Sequence, residues 1–372
     1  MAKSIRTFCY GFLAIILPLH LADLGMNAVA VGVAVSLTLA GSAALTWAVR
    51  RPAERWGARS ALLGLAALSA VAGALLLSAR APWLVVLAAM IGNVAVGTGE
   101  TGPFLTVEQV VIARAAPAAR RTGVLSIYNL LGYASAALGA AAIGFAASTT
   151  VLFGVFLAAS VVQALVYARL PGMVAAPRAA GAPVPSAPLI RRLAALFALD
   201  SFAGGFVLQS LVAYFLHARF GLTLDTLGIV FSLTQVCTAA SLLIAPWCAR
   251  RFGLLPTMVI SHLVSNVFLI AIAAAPTAAA AVVLLLGRHL LSQIDVPTRQ
   301  AYVMAVVADH EREGAASLTN LARTVAQAVT PSLTGWIMQA VALSAPFALG
   351  GGLKIVYDLM LWWTFKDVKP RE

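Results

Sequence analysis

Residues 24–44, LGMNAVAVGVAVSLTLAGSAA, return in altered form at 220–240, FGLTLDTLGIVFSLTQVCTAA. At a constant offset of 196, Gly25 and Gly221, Gly32 and Gly228, Ser36 and Ser232, Leu37 and Leu233, and Thr38 and Thr234 are identical, with two alanine pairs behind them. A second echo runs at an offset of 191. Gly123, Ser126, Asn129, Leu130 and Gly144 match Gly314, Ser317, Asn320, Leu321 and Gly335. The chain is therefore two copies of one apolar half. Parallel duplicated halves of this kind imply a substrate site near the bilayer midplane, where the repeats meet.

Composition agrees. The 372 residues are 61% hydrophobic and 10% charged, against roughly 25% charge in soluble domains. The formal charge of +12 on a soluble domain would point to nucleic acid. In an apolar chain it reads as Lys and Arg gathered in cytoplasmic loops, so no nucleic-acid partner is expected. Cys9, Cys237 and Cys248 fall in or beside apolar segments without metal-like spacing, and no metal site or disulfide framework is implied. The basic, apolar start of the chain has no small-residue cleavage site after it. It also pairs with residues near 197–221, so it reads as a first spanning helix.

About 20 apolar residues span a bilayer. Twelve segments qualify: 5–23, 26–49, 58–79, 81–112, 122–146, 149–168, 193–217, 222–247, 254–274, 278–308, 313–340 and 345–366. The expected fold is an all-α membrane protein of twelve helices in two pseudo-symmetric six-helix bundles. Residues 1–170 form the first bundle, 171–190 a cytoplasmic linker and 191–372 the second. RRPAERWGAR (50–59), RAAPAARR (114–121), Arg191–Arg192 and Arg250–Arg251 lie on one side, and only Arg80 and Arg219 on the other. That bias puts both termini in the cytoplasm of a multi-pass inner-membrane protein. PGMVAAPRAAGAPVPSAP (171–188) reads as the linker. There is no G-x-x-x-x-G-K-[ST] loop, so energy comes from a gradient or a partner chain.

Charges inside apolar helices cost roughly 2.5–3.5 kcal/mol each and mark function by default. Glu100 and Glu108, in GTGETGPFLTVEQVV, share a face across Pro103, which should kink or break the fourth segment. Glu100 leans to proton carriage, Glu108 to a structural brace. Asp200 lies eight residues beyond Arg192, roughly 12 Å into its helix. It is either a proton-exchanging carboxylate or half of a fixed ion pair. Gly204–Gly205 just beyond would allow a bend or close helix contact. In GRHLLSQIDVPTRQAYVM, Arg288, Asp295 and Arg299 are seven and four apart on one face. Asp295 falls opposite Glu100 in the other half, each beside a proline. His289 reads as a hydrogen-bonded histidine.

Arg323, in TNLARTVAQAV, requires a carboxylate or an anionic substrate. Its counterpart is Gly132. Asn129 and Asn320 either bind substrate or join helices. Arg6, Lys354, Asp358 and Asp23 are assigned to snorkelling. His262 and Asn266 are expected to pair, and Trp362 and Trp363 fit an interfacial belt.

The twelve segments, two halves and linker resemble the major facilitator superfamily across essentially the whole chain. Its signature loop runs G-x-x-x-[DE]-R-x-G-[RK]-[RK]. RPAERWGAR supplies Glu54, Arg55, Gly57 and Arg59 in register, while Arg50 replaces the first Gly and Ala58 one basic position. A second copy, ARRFGLL, keeps Arg251 and Gly253. The resemblance implies a cytoplasmic gating role for this loop. GETGPFLTVEQ, SIYNLLGY and DVPTRQAYVMAVV are similar to a bacterial subgroup of permeases. AALGAAAIGF (136–145) lacks the proline of the drug-antiporter motif.

The implied function is a secondary transporter working by alternating access, moving a small organic compound outward against protons. It would need no cofactor and act as a monomer. Glu100, Asp200 and Asp295 would be the protonatable set, with Arg299 and Arg323 as partners. Three alternatives stand beside it. One is uptake or exchange of an organic anion at Arg288, Arg299 and Arg323. Another is a metalloid carrier using Cys9 and Cys237. The third is a non-transporting receptor or assembly factor on a transporter fold. No nucleophile–base constellation suggests an enzyme.

Overall fold

In a computed structural model the chain is described at residues 1–94, 96, 102–115, 118–146, 148–171, 187–296, 298, 299, 302 and 312–367. Glu100 and Pro297 lie outside the described residues, as do the side chains of Glu54 and Asn320. The helices are α1 (Ala2–Asp23), α2 (Ala28–Ala48), α3 (Arg50–Ser78), α4 (Pro82–Ile91), α5 (Pro103–Ala115), α6 (Ala118–Ala141), α7 (Thr149–Ala168), α8 (Ala187–Gly205), α9 (Gln209–Phe220), α10 (Leu224–Phe252), α11 (Leu254–Ala273), α12 (Ala278–Ser292), α13 (Arg312–Ala340) and α14 (Ala345–Phe365). Eight stretches of the described residues are long and apolar enough to cross a membrane. Surface chemistry fits: Trp83, Leu138, Phe145, Leu243, Val283 and Trp363 are exposed, while Asp200, Asp295, Arg299 and Asp358 are buried. Water would demand the reverse; hydrocarbon does not.

Two compact units divide the chain. One holds Met1–Ala180, Gln209–His217 and Gly221–Ser232, the other Gly181–Leu208, Ala218–Phe220 and Leu233–Glu372. In the first, α1 packs on α6 and α3 on α7; in the second, α8 packs on α13 and α11 on α14. Small residues allow these approaches. A Cβ on Gly139 would lie 1.8 Å from the Phe8 carbonyl oxygen, and one on Gly205 would lie 2.5 Å from the Thr330 side chain. Close backbone approach of this sort is how helices associate where lipid competes equally for apolar contact.

The repeat is written into the backbone. Gly57 (φ 86°, ψ 160°) interrupts α3, and Gly253 (φ 88°, ψ 163°) precedes α11. They are 196 apart and share a region of conformational space essentially closed to side chains. Gly25 and Gly221, the same distance apart, also have positive φ. The helix caps repeat too. Asn27 Oδ1 accepts from Ala30 N at 2.9 Å, and Thr223 Oγ1 accepts from Thr226 N at 3.5 Å.

Three of the twelve expected segments are interrupted, the fourth beside Pro103, where a kink or break is expected. The fourth, 81–112, stops at Ile91, turns through Asn93 (φ 50°), and resumes at Pro103 as α5. Asn is among the few residues that adopt such a φ readily, and its amide is held by donating to Tyr10 Oη of α1 at 3.1 Å. The seventh, 193–217, breaks between Gly205 and Gln209, where Gly204–Gly205 makes a bend inexpensive. The tenth, 278–308, ends its first part at Ser292.

Candidate functional site

Each unit contains a buried cluster of charge. In the first, Arg6 of α1 meets Glu108 of α5 in a two-pronged pair, Nη2 to Oε2 at 2.7 Å and Nη1 to Oε1 at 3.3 Å. Tyr167 of α7 donates to Glu108 Oε1 at 2.6 Å, and Tyr128 of α6 donates to Oε2. Arg6 Nη1 also donates to Tyr167 Oη, and its guanidinium lies over the Phe104 ring. Lys3 Nζ, one turn from Arg6, sits over Tyr128 and donates to Asn129 Oδ1 at 3.2 Å. Both oxygens of Glu108 are therefore occupied by donors from three other helices. Leu62, Leu65, Phe104 and Val107 pack as an apolar layer around Tyr167. In such surroundings an ion pair holds only if its remaining lone pairs are satisfied, and here they are.

The second cluster is larger. Asp200 of α8 meets Lys354 of α14 at 2.5 Å through Oδ1, and Arg299 at 3.4 Å through Oδ2. Arg299 reaches a second carboxylate, Asp295, at 2.7 Å, its i−4 neighbour. His262 of α11 bridges two acids: Nδ1 lies 2.7 Å from Asp358 and Nε2 lies 3.7 Å from Asp200. Asn266 Nδ2 donates to the other Asp358 oxygen at 3.0 Å. Arg323 of α13 donates from Nε to Ser201 Oγ, 2.9 Å away and next to Asp200 in the chain. Asp200, Asp295, Arg299, Lys354, His262 and Asp358 are each at most 6% exposed. Three carboxylates (Asp200, Asp295, Asp358) face three cations (Arg299, Arg323, Lys354) with a histidine among them. Two of the carboxylates share Arg299, so partners can be exchanged within the network.

The sequence readings fare unevenly against this geometry. Asp200, Asp295, Arg299 and Arg323 come together in one unit as a set. Arg288 is not in direct contact with that set; it meets His289 at 3.5 Å. Asn129 is exposed and bonds Lys3 of α1, while Asn320 lies on α13. Of the gating loop, Arg55 and Arg59 are exposed on α3, and Gly57 makes the break there. His262 and Asn266 are 3.3 Å apart and share Asp358. The snorkelling assignment holds for exposed Asp23 and fails for Arg6, Lys354 and Asp358, which are 3%, 6% and 0% exposed. A signal was present: Lys354 and Asp358 are four apart in mid-helix, where two charges on one face seldom both reach water.

A family model described as the Major Facilitator Superfamily matches residues 2–287 and again 193–372. An uncharacterized membrane protein of Saccharomyces cerevisiae, YJR124C, is 25% identical over 418 aligned residues, covering 99% of this chain and 93% of its own length. Among solved structures, a mutant of the nucleoside transporter NupG is similar with a TM-score of 0.77 at 15% identity, covering 98% of each chain. The D-xylose-proton symporter has a TM-score of 0.75 at 14% identity, with 100% of this chain and 97% of the other covered. The human organic anion transporter MFSD10 has 0.69 at 14%, with 97% of each chain covered. At such identities these three likenesses speak for the fold.

Proposed function

Since the chain belongs to the major facilitator superfamily, we propose that it is a secondary active transporter. It works by alternating access and couples export of a small organic compound to proton entry. We place it in the cytoplasmic membrane as a monomer, with both termini cytoplasmic, as the basic loops favour. Residues 1–170 and 191–372 are proposed as the moving halves. Glu54, Arg55, Gly57 and Arg59 are proposed as a cytoplasmic gating loop.

The observation that carries the coupling is the seat of Asp200. Ionised, it holds Lys354 and shares Arg299 with Asp295. Protonated, it loses its charge attraction for both cations, and Arg299 keeps a full partner in Asp295. Those are two arrangements of one network, differing by one proton. His262 supports the transfer. With Nδ1–H donated to Asp358, its Nε2 faces Asp200 and can hold or pass on a proton. Glu100 is retained as a further proton carrier on its sequence position.

A screen of thermal unfolding against lipophilic cations, organic anions, sugars and metalloids at several pH values identifies the ligand, because binding raises apparent stability. In vesicles, that ligand should then drive proton movement in the native protein. Asp200→Asn and Asp295→Asn should abolish it while both variants unfold cooperatively. Full coupling in both would overturn the assignment.

A further inference from the structure

Of the arginines in the second unit, Arg299 has two carboxylates and Arg323 a hydroxyl at good distance. Arg288 differs. Among the described residues no carboxylate lies within ion-pairing distance of it, its one side-chain hydrogen bond is a long 3.5 Å contact with His289 Nε2, and its Nε is buried without a partner. Arg288 is half-buried, and leaving a buried guanidinium N–H without an acceptor is costly, so the position invites a ligand.

Its surroundings supply the rest of a receptor. On α10, Thr238 Oγ1 meets His289 Nδ1 at 3.2 Å, fixing the imidazole from behind. Ser241 lies one turn further along the same face. On α12, Ser292 lies one turn beyond Arg288. Buried hydroxyls in this protein usually turn back to the carbonyl four residues earlier, as Thr38, Ser69, Ser160 and Thr334 do. Ser241 and Ser292 do not; both Oγ atoms are buried without a partner. Among the described residues the seam therefore offers guanidinium and hydroxyl donors, and the carboxylate whose charge is felt at Arg288, Asp200, is already held by Lys354 and Arg299.

We propose that Arg288, with Ser292, Ser241 and the Thr238-held His289, receives the oxyanion of the transported solute, a carboxylate or a phosphate monoester. Planar forked donors suit these groups, which bring the missing charge and the missing acceptors together. The proposal rests on the transporter reading and narrows its substrate class to small organic anions. It also separates the three arginines: Arg299 and Arg323 belong to the internal network, and Arg288 faces the solute.

The test uses the full-length protein purified in detergent, with benzoate and phenyl phosphate as probes and uncharged benzamide as control. At least one of the two anions should raise the unfolding temperature, and benzamide should not. Arg288→Gln should weaken the anion's binding by about tenfold or more, the loss expected for charge-assisted hydrogen bonds. Arg288→Lys should recover part of it. Ser292→Ala, which leaves every charge in place, should weaken it several-fold and keeps the test open if Arg288→Gln does not fold. Stabilisation by benzamide equal to that by the anions would overturn the proposal. So would no response to either anion, or native affinity in Ser292→Ala and Arg288→Gln alike. Anion binding lost in Arg288→Gln without any proton flux in the native protein would support this site and remove the coupling. Coupling lost in Asp200→Asn, with anion binding indifferent to Arg288, would do the opposite.

Discussion

Glu108 in the first unit and Asp200 in the second are both carboxylates buried at the meeting of several helices, yet their neighbours differ in kind. Glu108 is surrounded by donors alone: one guanidinium and two phenols. Asp200 has competitors. Arg299 can settle on Asp295, and His262 already holds Asp358. The first cluster ties together α1, α5, α6 and α7 through one carboxylate; the second, in which two carboxylates compete for Arg299, is the one proposed to switch. Duplication copied the scaffold, including glycines with near-identical φ and ψ, and the chemistry then diverged on it.

The largest stability effect should come from the brace. Arg6→Met alone strands Glu108 and should cost about 3–5 kcal/mol in detergent unfolding experiments. Arg6→Met with Glu108→Met should recover most of that, since a buried pair is often replaceable by apolar side chains of similar volume, and transport should survive. The matching pair in the second unit, Lys354→Met with Asp200→Met, should fold as well and lose coupling. A double variant of the first unit that folds but does not transport would erase the contrast.

Helix crossings give the next effect. Gly139→Ala drives a methyl into the Phe8 carbonyl and should cost about 1–3 kcal/mol. Gly205→Ala meets the Thr330 Cβ at 2.5 Å and should cost less, because that overlap is shallower than the 1.8 Å one at Gly139. Gly57→Ala and Gly253→Ala force the same strained conformation in each half, so both should lose about 1–3 kcal/mol and differ little from one another. The caps come last. Asn27→Ala should cost about 1 kcal/mol, and Thr223→Ala less, since its bond is 3.5 Å long against 2.9 Å. Thermal or chemical unfolding of each pair reads these differences directly.

Much of this was legible in the sequence. The apolar run lengths announced an all-helical membrane protein, and the repeat at 24–44 and 220–240 reappears as matching positive-φ glycines at Gly25 and Gly221. Asp200, Asp295, Arg299 and Arg323 were legible because charge in an apolar helix is conspicuous. Lys354, Asp358 and Arg6 were visible as charges but misassigned. For Arg6, near the start of α1, whether the charge reaches the interface depends on what packs over it, which one helix alone does not encode; for Lys354 and Asp358 the spacing in mid-helix was the overlooked signal. Tyr128 and Tyr167 gave no signal, because a tyrosine in a spanning helix is ordinary until a carboxylate is found beside it. The end of α4 at Ile91, the start of α5 at Pro103 and the break at 206–208 were half legible. Pro103 and Gly204–Gly205 announced them, but spacing alone does not separate a bend from a stop.

The most direct test of the switching network is proton flux in vesicles, read with an entrapped pH-sensitive dye as the identified substrate is added. Native protein and the Arg6→Met, Glu108→Met double variant should both move protons with substrate. Asp200→Asn should bind the substrate and move none. Substrate-driven proton flux in Asp200→Asn at the native rate would contradict the account.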